Sequence, residues 1–372
     1  MVQDHPLRLA IFRVRPEFTV QSGYDSNAVN TAVIEESDYF TRVAPAADVA
    51  LRLGHSGYFA VREDLNFVYY NTQTALRDIY NTTAARFVTG SRKILLTIDG
   101  GYLSRIAPYN AEMDQPVQQT STTAGADLEF ALRRTTDLTL SYGYANLDFE
   151  PVPDLVTQLP PPPDNRTYQY SAGISQELGR LINLDLNGYT GKVKIDAVQS
   201  PESESNFWRL MGGFSFNGRK LTGLAHAGYG RTDSTTQGAD AFRDFLIDTD
   251  VTYTAGRRLQ VGFAIQRRRS VSALEADNFL LNTQFGVHGS LPLAGRFFID
   301  GRFTIGNNDY PEEQGAEPIT KDDYRTVEGG LNFELTEHLR IRGNGAYQMR
   351  DSNDPTLNKN RFILGLSLVM EP

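Results

Sequence analysis

The chain has 372 residues, no cysteine, a formal net charge of -9, and 18 Tyr and 21 Phe. The absence of cysteine excludes a disulfide framework, a thiolate nucleophile and a cysteine-bound metal. The negative charge offers no basic surface for nucleic acid. No apolar run reaches the roughly 18 residues that a membrane-spanning helix needs, and the aromatic content is too high for a disordered chain.

Apolar and polar residues alternate along nearly the whole chain. In the segment 136–147, Leu138, Leu140, Tyr142 and Tyr144 share one face and small or polar residues occupy the other. Successive side chains of a β-strand point to opposite faces, so this period of two predicts strands. The same alternation recurs in the segments 259–266, 297–305 and 362–370.

Aromatic residues at the ends of the apolar stripes favour a membrane barrel over a soluble one. Tyr24, Tyr69, Tyr102 and Tyr229 occupy such positions, which suit the interface between hydrocarbon and water. The alternative is a large soluble β-protein such as a propeller, but no blade-length repeat is present and the chain has one Trp. We therefore predict an all-β fold, a transmembrane antiparallel outer-membrane β-barrel.

The predicted connections alternate between short turns and long polar segments. This arrangement is typical of bacterial outer-membrane barrels, with short periplasmic turns and long extracellular loops. Eight short and nine long connections give about 18 strands, or 16 if the weakly alternating segment 75–89 is not a strand. We expect residues 1–6 to form a periplasmic tail and 7–370 a single barrel. Because the opening Met1–Asp4 does not resemble a signal peptide, we expect this sequence to be a processed or recombinant form.

Two positions depart from the pattern. Glu63 falls on the predicted lipid face between Val61 and Leu65, where a charge is costly, so either a bulge turns it inward or it pairs with a neighbour. Around Asn187-Gly188 the alternation shifts, because Val193 and Ile195 are out of phase with the apolar positions before them. A β-bulge would explain that shift.

The sequence offers no catalytic or metal site. No two of the five histidines have metal-ligand spacing, and no nucleophile motif of the Gly-x-Ser-x-Gly type occurs. We expect no enzyme activity, no cofactor and no metal.

Charged residues on the predicted lumen face are the candidate functional residues. One interpretation is a transverse field across the pore, positive near the closure of the barrel and negative opposite, and the other is that these charges pair locally. Arg267, Arg268 and Arg269 fall near the outer rim, where they could contact lipopolysaccharide phosphates. The lumen candidates are Arg13, Arg15, Glu17, Asp127, Glu129, Asp248, Asp250, Asp300, Arg302, Arg340 and Arg342.

The opening resembles that of a known family. Residues 12–27, FRVRPEFTVQSGYDSN, contain Arg-x-Pro followed by Tyr-Asp-Ser-Asn, and 37–45, SDYFTRVAP, continue the similarity. Both are similar to the putative β-barrel porin 2 family. The resemblance implies an outer-membrane conduit for exopolysaccharide export, with a periplasmic polysaccharide-export or co-polymerase protein as partner. The alternative function is a passive diffusion porin for small hydrophilic solutes.

Overall fold

A computed structural model describes most of the chain. The described residues are 7–9, 12–30, 35–108, 116–153, 155, 161–196, 203–234, 242–256, 259–270, 280–309, 322–353 and 357–371. The predicted tail, residues 1–6, lies outside them. Within these ranges, no helix is long and apolar enough to cross a membrane.

The alternating segments form long strands. A short 3-10 helix, Thr74–Leu76, lies between the fourth and fifth strands. The strands are β1 (Leu7–Leu9), β2 (Phe12–Asp25), β3 (Asp38–Leu53), β4 (Gly57–Tyr70), β5 (Asp78–Gly90), β6 (Ile94–Pro108), β7 (Pro116–Arg133), β8 (Thr136–Pro151), β9 (Asp164–Glu177), β10 (Ile182–Asp196), β11 (Ser203–Asn217), β12 (Leu221–Ser234), β13 (Phe242–Ala255), β14 (Leu259–Ser270), β15 (Leu280–Ala294), β16 (Phe297–Asp309), β17 (Asp322–Glu334), β18 (Leu339–Ser352) and β19 (Lys359–Met370).

The strands close into a barrel. Each strand from β2 to β19 pairs antiparallel with its neighbours in the chain, and β19 pairs with β2 from Met370↔Phe18 to Ile363↔Asp25. The short β1 pairs with the first residues of β2, below this closure. Of the 19 strands in the sheet, the 18 from β2 to β19 form the closed wall. The prediction of an 18-stranded antiparallel barrel is therefore confirmed, and the 16-strand alternative is wrong because β5 forms.

The connections alternate in length around the barrel. Residues 54–56 join β3 to β4, whereas residues 26–37 join β2 to β3. We call the end of the barrel that carries the short connections the turn end, and the opposite end the loop end. By the rule for outer-membrane barrels, the turn end is periplasmic and the loop end extracellular.

The two faces of the wall are chemically distinct. One face is apolar and exposed, and aromatic pairs such as Tyr24–Tyr39 and Trp208–Tyr229 lie on it towards the loop end. This is the pattern of a lipid-facing surface with an aromatic girdle. Exposed apolar residues of this face include Phe67, Ile98, Leu140, Leu186, Leu210, Phe263, Phe303 and Leu366.

The opposite face is polar and concave. On it, Arg342 of β18 bonds Asp300 of β16, and Arg209 of β11 bonds Gln169 of β9. Each of these bonds passes over an intervening strand. Two strands separated by one other strand are about 9.6 Å from each other. Side chains bridge that distance most readily on the concave face of a curved sheet, because they converge there. The polar face is therefore the lumen.

Glu63 lies on the lipid face, as its phase in the sequence predicts. The register pairs it with Ala47 on β3 and with Thr83 on β5. The Thr83 hydroxyl donates a hydrogen bond of 2.6 Å to the Glu63 carboxylate. The chain therefore keeps a carboxyl group on the outer wall with one neutral donor beside it.

The predicted bulge in β10 is wrong. The ladders of β10 with β9 and β11 continue without a register shift from Asn183 to Ile195. Val193 and Ile195 point into the lumen, where both are buried. The pattern breaks there because the lumen near the loop end is filled enough to bury apolar side chains.

Candidate functional site

The strand register places all eleven candidate charges on the lumen face. For example, Asp300 pairs in register with Ser290 and Arg302 with His288, in phase with the other polar positions. The remaining nine follow the same alternation on β2, β7, β13 and β18. The lumen wall therefore carries charge of both signs from the turn end to mid-height.

Near the closure of the barrel, three of the four candidate arginines form ion pairs. Arg340 and Arg15 share the Glu371 carboxylate at 2.9 and 3.7 Å. Arg342 bonds Asp300 at 2.7 Å. The lumen wall near the closure is consequently less positive than its arginines alone imply. Of the two interpretations, local pairing describes this part of the lumen.

A second ion cluster joins the candidate Glu17 to three residues that the sequence did not single out. Arg62 of β4 lies 3.1 Å from Asp48, 3.3 Å from Glu17 and 3.5 Å from Asp64. Alternation on β3 and β4 places Asp48 and Arg62 on one face, but only the register brings them together.

The candidate acids on the far wall behave differently. Asp127 and Glu129 on β7, and Asp248 and Asp250 on β13, form no ion pair with any described residue. Arg302 likewise forms no ion pair in the described ranges, although the register sets it beside Glu328 on β17. These side chains keep their charges facing the solvent-filled lumen.

At the loop end, lumen-facing polar groups are buried and joined to one another. Arg350 donates two hydrogen bonds, of 2.7 and 2.6 Å, to the Asp322 carboxylate. Asp322 also accepts from Asn308, which in turn accepts from Asn282. Arg361 and Asp25 form a comparable pair at the barrel closure. We call the residues 25, 282, 308, 322, 350 and 361 the polar belt.

A small apolar cluster packs on the lumen side of the same end. Its four buried members are Ala28, Leu76, Ile106 and Val152, which come from three loops and the end of β6. Tyr70 and Tyr80 pack against it, and both point into the lumen by register. We call these four buried residues the loop cap. Its contact with Tyr70 and Tyr80 joins loop residues to lumen-facing side chains on one side of the barrel.

Further around the barrel, the wall from β9 to β14 holds a pocket of about 380 Å³. Its polar lining includes Gln169, Tyr189, Arg209 and Asp248. The guanidinium carbon of Arg209 lies 4.2 Å from the centre of the Tyr189 ring. The arrangement combines a cation, an aromatic ring and neutral amides at one place, which is a surface for polar small molecules.

The lumen histidines are part of hydrogen-bonded structure. His226 lies 3.2 Å from Asp185, which also accepts a bond from Ser175, and His288 lies 3.2 Å from Thr252. Among the described residues, no cluster of three potential metal ligands occurs.

The three consecutive arginines of β14 have different surroundings. Arg267 bonds Asp244 at 2.7 Å and lies 3.8 Å from Asp309. Arg269 is largely buried and donates to Thr232. Arg268 is exposed and lines the wall pocket. Of the three, Arg268 is thus the most accessible to a ligand.

Solved structures of outer-membrane porins share this fold. Pseudomonas aeruginosa OccK2 (OpdF) is 13% identical with a TM-score of 0.51, and the match covers 96% of this chain and 98% of that one. The structure of the same porin in complex with glucuronate is 12% identical with a TM-score of 0.50, and the match covers the same shares of both chains. OpdQ from the same organism is 11% identical with a TM-score of 0.50, and the match again covers 96% of this chain and 98% of that one. At these identities, the likeness shows the fold alone.

The sequence assignment comes from the second half of the chain. No curated protein matches the chain. The family model described as putative beta-barrel porin 2 matches residues 182–371, from the start of β10 to the end of β19. The opening segments that resemble this family lie outside the match, so the second half supports the assignment independently. The chain belongs to the putative beta-barrel porin 2 family.

Proposed function

We propose that the protein is a passive diffusion porin of the outer membrane for small hydrophilic solutes. The observation that carries this proposal is the contrast along the lumen. The loop cap and the polar belt occupy the loop end, whereas exposed charges line the lumen below them. Such a lumen is hydrated and charged along most of its length, which suits a small hydrophilic solute, and it is narrower at its loop end.

The narrowing favours small solutes over a polymer. A conduit for hydrated polysaccharide needs a wide bore at both ends, and here inward-packed loop segments and buried polar groups occupy part of one end. Tyr70, a possible stacking platform for sugars, packs against the loop cap and Phe40 instead. The comparisons offer no support for exopolysaccharide export. A porin of this fold crystallised with glucuronate supports a small solute.

Conductance in planar bilayers tests the proposal. The wild-type barrel should form steady open channels, and proteoliposomes should admit glucose but exclude large dextrans. Leu76→Ala should raise the conductance because it removes a buried side chain of the loop cap. Leu366→Ala is the matched control on the lipid face, where the same truncation should leave conductance unchanged.

Two results would contradict the porin. A folded barrel that carries no current is not a diffusion channel. Passage of dextran through the wild type, together with no effect of Leu76→Ala, would favour the polymer conduit.

A further inference from the structure

Arg209 is a lumen arginine with an unusual set of partners. Its Nη2 donates to the Gln169 amide oxygen at 3.2 Å, and its guanidinium stacks on Tyr189. Its Nε is buried without a hydrogen-bond partner. Throughout the described part of the chain, no carboxylate lies within the 4.0 Å that defines an ion pair with this side chain.

This arrangement leaves a half-buried cation with no carboxylate in direct contact among the described residues; Asp248, in the same pocket, acts on it from beyond 4.0 Å. By contrast, Arg62 faces three carboxylates. Arg350 forms an ion pair with Asp322 through two hydrogen bonds. Burial of a charged group is costly unless an opposite charge or full hydrogen bonding offsets it. Gln169 and the Tyr189 ring are neutral groups that orient the guanidinium but supply no negative charge.

The pocket around Arg209 is large enough for a small organic molecule. Its volume of about 380 Å³ falls within the range of roughly 300–1,000 Å³ that is typical of ligand pockets. Arg268 and Arg269 also line it, and Asp248 is the acid in its lining. Gln169 and Gln266 add neutral donors and acceptors. The excess of cations over acids favours an anionic ligand.

We propose that this pocket binds a small carboxylate-bearing solute, whose carboxylate pairs with Arg209. The planar guanidinium matches a carboxylate in geometry, and the charge-assisted hydrogen bonds between them are stronger than neutral ones. The neutral amides and Thr167 then contact the hydroxyl groups of the solute. This inference rests on the proposed function and assigns a substrate class to the same lumen.

Binding of glucuronate and glucose to the folded barrel tests the site, because the two sugars differ by a carboxylate. Isothermal titration calorimetry on the wild type in detergent should detect glucuronate and much weaker binding of glucose. Arg209→Gln should weaken glucuronate binding by at least about tenfold because the charge-assisted pair is lost. Arg209→Lys keeps the charge but not the fork, so its affinity should be intermediate.

The matched control is Arg342→Gln, which makes the same change in charge at an arginine already paired with Asp300. It should bind glucuronate like the wild type. If Arg209→Gln binds glucuronate as tightly as the wild type does, the proposed site is wrong. The same holds if Arg342→Gln loses as much glucuronate affinity as Arg209→Gln. Circular dichroism confirms the folding of each variant. Conductance is measured separately. A barrel that conducts ions without binding glucuronate disproves the carboxylate site but not the porin. A barrel that binds glucuronate without conducting disproves the porin but not the site.

Discussion

At the loop end of the lumen, Arg350 and Asp322 form an ion pair whose side chains are 3% and 0% exposed. At the turn end, Arg342 and Asp300 form a pair of similar length, 2.7 Å, with 44% and 31% exposed. The two pairs involve the same residue types on the same wall. They differ in whether water reaches them.

This difference explains how charge is distributed along the lumen. Where neighbouring groups bury it, a charged side chain carries a full set of partners, as Asp322 does with Arg350 and Asn308. Where water fills the lumen, charges can stay unpaired, as Asp127 does with respect to the part of the chain that the structure describes. Arg209 is an exception, because it is half-buried and has neutral partners.

The largest expected effect is the loss of the buried pair. Arg350→Met leaves the Asp322 carboxylate buried without its cation, and breaking such a pair costs about 3–5 kcal/mol. Arg342→Met at the exposed pair should cost about 1 kcal/mol or less. The free energy of unfolding, measured by urea titration in lipid vesicles through the fluorescence of the single tryptophan, Trp208, checks both values.

Equal losses in the two variants would show that water reaches the polar belt as freely as the turn end. The distinction between the two regions would then fail, together with the argument that the loop end is narrow.

The sequence predicted the wall better than the lumen. Alternation indicates which face each residue takes, so it predicted the strand count and the phase of Glu63, although a bulge that turns Glu63 inward stayed open until the register was known. It does not set which side chains meet. Arg62 reaches Glu17 across β3 because of the register of two ladders, and no local pattern encodes that register.

The interpretation of β10 as bulged failed for a related reason. It assumed that apolar side chains face lipid along the whole strand. Val193 and Ile195 instead face a filled part of the lumen. Where loop segments pack inward, apolar residues are stable on either face, so alternation no longer distinguishes inside from outside. The wall pocket was missed as well, since six strands, β9 to β14, contribute to its lining.

A charge on the lipid face extends the comparison to a third environment. Glu63→Leu should stabilise the barrel by about 1 kcal/mol, because a carboxyl group on the lipid face is unfavourable. Asp64→Leu is the matched change at the next residue, which faces the lumen and lies 3.5 Å from Arg62. It should give no gain. Urea titration in the same vesicles distinguishes them, and a loss of stability in Glu63→Leu would indicate that the hydrogen bond from Thr83 outweighs the cost of the carboxyl group on the lipid face.

The smallest expected effect concerns ion selectivity at the turn end and mid-height. Replacing Asp127 and Glu129 together by Asn and Gln removes two unpaired negative charges, so the reversal potential in a salt gradient should shift towards anions. The matched double change, Arg342→Gln with Asp300→Asn, removes an ion pair that is nearly neutral as a unit. It should leave the reversal potential unchanged. Identical shifts in the two double variants would mean that pairing does not screen the lumen charges, and the turn-end ion pairs would then contribute to a transverse field as fully as the isolated acids.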